Sequence, residues 1–138
     1  MASITVNIDI TGTPSTGMTV TYSEGSKNGG SGRSDPSVDS TGEVTVYTAT
    51  DVKFKLKTDG YTFPSSGTLI EIDGVAMKAG DNNGEFKIGD DQPDDDGKTL
   101  KVHDEDTDGT DEGVLHPYCL YVMYDGSSHQ LDPNFRNR

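Results

Sequence analysis

The chain contains no tryptophan, a single cysteine and only 11 basic residues against 24 acidic ones. Each shortage excludes something. One cysteine, Cys119, rules out an internal disulfide, so the fold must be held non-covalently, and a reducing cytoplasm is the expected compartment. A formal net charge of −13 argues against nucleic acid, whose phosphates must be met by clustered Lys and Arg. Anionic membrane surfaces are disfavoured for the same reason. No stretch approaches the roughly 18 apolar residues that a membrane span needs. The opening MASITVNID lacks the basic and then apolar segments of a secretory leader, so none is expected in it.

Catalytic groups are also scarce. His103, His116 and His129 lie in separate segments, without the close spacing of zinc ligands. No serine sits in a G-x-S-x-G elbow, no glycine-rich phosphate loop is present, and Cys119 sits in an apolar strand where a structural thiol is the plain reading. The expectation is a protein without enzymatic activity. A carbohydrate-binding sandwich is a further alternative, but it needs exposed aromatic rings. Tryptophan is absent here, and the 6 Tyr and 4 Phe are largely required for a core.

Leu, Ile, Val and Phe make up about a fifth of the chain, which together with the charge approaches the composition of disordered proteins. The arrangement of these residues says otherwise. Ile4, Val6, Ile8 and Ile10 alternate with polar residues, as do Met18, Val20 and Tyr22, then Val44 and Val46. Val52, Phe54 and Leu56 alternate with Lys53, Lys55 and Lys57, placing a lysine ladder on one strand face. Such a ladder suits a solvated or edge strand, its lysines paired with acidic neighbours. Tyr61 and Phe63, Leu69 to Ile72, Phe86 with Ile88, and Leu100 with Val102 supply further short apolar segments. The densest is Tyr118 to Tyr124, in which both faces are apolar and Asp125-Gly126 ends the run. It reads as a central strand feeding a tight hairpin, and Asp73-Gly74 marks a second hairpin.

No helical period or capping box is present. The pattern predicts one all-β domain over residues 1–138, an immunoglobulin-like antiparallel β-sandwich of about seven to nine strands. Residues 24–42, rich in Gly and Ser, read as a flexible loop, and residues 81–113 as acidic loops.

Thirteen of the 24 acidic residues fall between Asp81 and Glu112. Asp104, Asp106, Asp108 and Gly109 fit the first half of a calcium loop, in which alternate carboxylates converge and a glycine permits the reversal. The match then fails, because Leu115 stands where a bidentate Glu is expected and no helix flanks the loop. Glu112 is a substitute ligand from the ninth position. If the strands around Phe86 and Leu100 are antiparallel neighbours, the loop holding Asp81, Asn82 and Asn83 shares an end of the sandwich with Asp104–Asp108. Asp81 is then a further ligand, and the Asp90–Asp96 cluster lies at the far end. Calcium is the cation this oxygen-only set would take. The plainer reading is that these loops are solvated surface, their repulsion screened within roughly 8–10 Å.

The last residues, Leu131-Asp132-Pro133-Asn134-Phe135-Arg136-Asn137, together with Phe54-Lys55-Leu56, Gly60-Tyr61-Thr62-Phe63 and the Tyr-rich strand, resemble the DP-EP family of small bacterial proteins. Its members are similar to immunoglobulin-like sandwiches that end in Asp-Pro, an apolar residue two positions on, and then Asn. The resemblance implies structural roles for Asp132, Pro133, Phe135 and Asn137 and supplies a fold without an activity. Physically, Asp-Pro would anchor the segment and Phe135 would plug the open end of the core. The role expected is an accessory or interaction module, a homo-oligomer or a partner of another protein through an exposed strand edge. A divalent-cation-binding domain is the alternative.

Overall fold

The computed structural model describes residues 2–30, 34–110, 113–131 and 134–138, the side chains of Asn134 and Phe135 excepted. The described residues form strands β1 (Ala2–Thr11), β2 (Thr19–Asn28), β3 (Ser37–Val38), β4 (Val44–Val46), β5 (Thr50–Leu56), β6 (Tyr61–Thr62) and β7 (Ile70–Ile72). They continue with β8 (Val75–Met77), β9 (Phe86–Ile88), β10 (Thr99–Asp104), β11 (Val114–Tyr124), β12 (Ser127–Leu131) and β13 (Asn134–Asn137). A single 3-10 turn, Asp95–Gly97, interrupts them. The all-β sandwich is therefore correct, but the strands are shorter and more numerous than the expected seven to nine, because turn residues divide the apolar runs.

One sheet has the order β2-β1-β5-β10-β9. The other runs β3-β4-β13-β11-β7-β8, with β6 and β12 also bonded to β11. Neither is purely antiparallel, as the sequence reading had it. β1 runs parallel to β5, and β13 parallel to β4. Each of these pairs joins segments distant in sequence, for which no tight hairpin constrains direction.

Period-two alternation explains the core. In β5 the buried residues Val52, Phe54 and Leu56 face inward and Lys53 and Lys55 face solvent. Ile4, Val6, Ile8 and Ile10 do the same in β1, and Tyr118, Leu120 and Val122 in β11. Phe54 meets Tyr118 across the two sheets with ring centroids 5.4 Å apart. The outer face of β11 carries Cys119, Tyr121 and Met123, all only partly buried, so Cys119 lies outside the core to which the sequence assigned it.

Both predicted hairpins are present. Asp73 (φ 54°) and Gly74 (φ 78°) turn β7 into β8, and Asp125 (φ 48°) and Gly126 (φ 78°) turn β11 into β12. Two successive left-handed residues match the twist of the flanking strands, which is why Asp-Gly is selected here.

Two expectations change. β2 extends through Asn28 and β3 lies at Ser37–Val38, so part of the 24–42 segment read as a loop is strand. Its residues are polar because β2 is an edge strand, held to β1 by backbone bonds and exposed along most of its length. A bulge opposite Ile4–Val6 and Lys27 both work against strand pairing at this edge. The lysine ladder is not on an edge: β5 is the middle strand of its sheet. Lys53 stands beside Thr5 and Lys101, and Lys55 beside Asn7 and Thr99, so the acidic partners expected for them are not their neighbours.

Leu120 is fully buried on β11, which pairs directly with β13, β7, β6 and β12 of the second sheet. Replacing it by Ala should lower unfolding free energy by about 2–5 kcal/mol, read by denaturant titration with little change in slope.

Candidate cation site between the sheets

The alternation that builds the core continues into polar residues at one end of the sandwich. In β10, Leu100 and Val102 face inward and Asp104 follows in the same register with no exposed surface. In β11, His116 precedes Tyr118 and Leu120 on the inward face. In β13, Asn137 is wholly buried. Polar groups thus occupy positions where the pattern calls for core side chains.

These groups meet. The Asn137 Nδ2 donates toward Glu85 Oε1 at 3.1 Å, Asp104 Oδ1 at 3.1 Å and Asp108 Oδ1 at 2.9 Å. An amide NH₂ has two hydrogens, so it cannot fully satisfy three carboxylates. Asp104 Oδ1 also accepts the Asp106 N–H at 2.9 Å. Among the described residues, Asp104 Oδ2 and Asn137 Oδ1 are buried without a hydrogen-bond partner. Leaving such oxygens unmet normally costs about 1–3 kcal/mol each. Glu85 is fixed by Thr107, whose N–H donates to Oε1 at 2.8 Å and whose hydroxyl bonds Oε2. Gly109 closes tightly on the loop: a Cβ there would lie 2.5 Å from the Arg138 carbonyl and 2.6 Å from Asp106 Oδ1.

Behind the cluster, His116 bridges two acids. Its Nε2 lies 2.6 Å from Asp108 Oδ2 and its Nδ1 2.6 Å from Asp73 Oδ2. Both nitrogens face carboxylates, an arrangement that favours the doubly protonated ring, in which both donate. Phe86 packs edge-on against it.

The electrostatics follow from this geometry. Burial, reinforced by the Glu85 and Asp106 charges, pushes the Asp104 carboxyl up to about 7, against the opposing bonds from Asp106 and Asn137. Burial would also raise Asp108 and depress His116. Hydrogen bonds from Asn137 and His116 nevertheless hold Asp108 below its usual value, and Asp73 and Asp108 hold His116 above its own.

Of the sequence-predicted ligands, Asp104, Asp106 and Asp108 come together. Asp81 does not: its Oδ2 accepts the Lys78 N–H at 3.0 Å and ties its own turn. Asn82 and Asn83 likewise bond backbone N–H groups within that loop. The residue this loop contributes is Glu85. Glu112 lies outside the described residues, as do Asp132, Pro133 and the side chain of Phe135. Asn137, expected to serve the fold alone, stands at the centre of the cluster. Sequence reasoning missed Glu85 and His116; the inward register of His116 on β11 was the available signal.

Among the described residues, no three Asp, Glu, His or Cys side chains stand in a finished metal geometry. The Asn137 NH₂ lies between the carboxylates where a cation would have to sit. Rotating the amide would exchange that NH₂ for its carbonyl oxygen. A cleft lined by Tyr47, Glu105, Asp106, Gly109 and Arg138 leads from solvent to this edge. At the opposite end, the Asp90–Asp96 acids are tied locally: Gln92 Nε2 donates to Asp94 at 3.0 Å and Thr99 to Asp95 at 2.8 Å. Comparison with protein-family profiles, curated proteins and solved structures gives no significant match.

The pH dependence has a definite sign. Asp104 titrates higher folded than unfolded, so its ionisation penalises the fold above the ordinary value of 3.8, fully so beyond about 7. The raised His116 stabilises the fold below its ordinary value of 6.5, a contribution lost as pH rises through its folded value. Asp108 and Asp39, both lowered, contribute stability that disappears only in acid, below 3.8. Chelator-treated protein should therefore melt highest near roughly pH 5 and lower at roughly pH 8. A melting temperature rising steadily from pH 5 to 8 contradicts the assignment. Asn137→Ala, which leaves Asp104 and Asp108 without their shared donor, should cost about 1–3 kcal/mol by denaturant titration.

Proposed function

We propose that the protein is a non-enzymatic β-sandwich module whose structure is completed by a divalent cation, calcium in preference to magnesium. The ligands are Glu85, Asp104, Asp106, Asp108 and the Asn137 carbonyl. The observation carrying this reading is a fully buried carboxylate and a fully buried amide with unmet oxygens, in a cluster of three further carboxylates. Uncompensated negative charge in that position is costly, and a cation removes the cost while occupying the place of the over-subscribed NH₂. The donors are all hard oxygens, drawn from the residue before β9, the contiguous 104–108 segment and strand β13. That irregular set suits the six to eight flexible ligands of calcium better than the strict octahedron of magnesium.

His116 serves as support rather than ligand: its imidazolium holds Asp108 in place and balances part of the charge. No nucleophile–base pair is part of this reading.

Calorimetric titration of chelator-treated protein with calcium should give a saturable heat. Calcium at one hundred times its Kd should stabilise the fold by about 2.7 kcal/mol. Asp104→Asn should abolish that gain while making the metal-free protein more stable, since it removes the buried charge. Asp81→Asn should leave binding unchanged. Absence of both heat and thermal stabilisation at millimolar calcium and neutral pH overturns the proposal.

A further inference from the structure

We infer that the cation acts as a latch on strand β13, so that occupancy of the site decides whether the second sheet is continuous. This rests on the cation reading above and adds its structural consequence. β13 is four residues long yet lies inside the sheet, antiparallel to β11 on one side and parallel to β4 on the other. Among the described strands it is the sole link between β3-β4 and β11-β7-β8. The site draws its remaining ligands from the other sheet and its loops: Glu85 precedes β9, and Asp104 ends β10. Asn137 is thus the one donor carried by β13, and it meets the others across the gap between sheets. Without a cation, the strand is pinned to a cluster whose like charges repel and whose two buried oxygens are unmet. Opening β13 then relieves Asp104 and Asn137 by admitting water. With the cation bound, opening the strand requires breaking its coordination. Linkage makes the two events reciprocal: the cation favours the docked strand, and the docked strand favours the cation.

Other attachments of β13 lie outside the cluster. Arg136 Nε meets Glu43 Oε2 at 3.0 Å, the Arg138 N–H donates to Val46 O at 3.0 Å, and the Arg138 guanidinium stands 5.6 Å from the Tyr47 ring centroid. These contacts and the backbone ladders to β11 and β4 hold the strand alongside the site.

Amide hydrogen exchange on the full chain, with and without calcium, tests the latch, alongside calorimetry on the same samples. In chelator, the amides of the β13–β4 and β13–β11 ladders should exchange much faster than those joining β1 to β5. At calcium one hundred times Kd they should slow about 100-fold. Asn137→Asp, which keeps an oxygen donor but adds a charge, should speed β13 exchange in chelator and still be slowed by calcium. If calcium binds but the β13 amides exchange as slowly as those of β1–β5 without it, the latch is wrong and the binding site stands. The same holds if calcium slows both groups equally, or if Asn137→Asp leaves β13 exchange unchanged in chelator. If calorimetry shows no binding, the cation reading itself has failed.

Discussion

The backbone ladder of β11 is the constraint on which the second sheet depends. Its first half bonds β13, its second half bonds β12, and on the other side it meets β7 and β6. A strand engaged on both edges cannot tolerate a polar inward face along its middle, and Tyr118, Leu120 and Val122 are accordingly buried. The same strand positions the imidazolium of His116 at one end and the Asp125-Gly126 turn at the other. The charged end of the sandwich is therefore an extension of the ladder that organises the core.

That arrangement explains how a chain with 30% hydrophobic residues and a net charge of −13 keeps a single fold. Most of the apolar residues are committed to one core cluster between the two sheets. Charge is moved to the two ends and to the outer faces. Where it intrudes inward, as at Asp104, the Asp106 N–H and the Asn137 amide offset it only in part, while Glu85 and Asp106 add like charge. Buried ionic groups of this kind contribute little to stability by themselves, and removing one partner is costly.

Strand alternation and turn chemistry were legible from residues alone. The lysine-flanked β5, the two Asp-Gly hairpins and the central place of Tyr118–Tyr124 all follow from period two and the φ demands of tight turns. The parallel pairing of β1 with β5 and the extension of β2 through Ser23–Asn28 were not legible. Those features depend on backbone partners rather than side-chain pattern. The site was half legible. Asp104, Asp106 and Asp108 declared themselves by spacing. Glu85 and Asn137 did not, because their proximity is set by the packing of distant strands. Asp81 was the ligand expected from the loop before β9, but a local turn consumes its carboxylate.

The position of β13 also bears on the order in which the molecule is built. All strands of the first sheet lie earlier in sequence, so that sheet can pair as soon as β10 has been synthesised. The second sheet cannot. Until Asn134–Asn137 emerges, β4 lacks its parallel partner, and the facing edge of β11 is unfilled along Val114–Pro117. Closing a contact between segments so far apart in sequence is slow in entropic terms. During synthesis, therefore, every strand of the first sheet is available while the second still lacks the strand that fills the slot between β4 and β11.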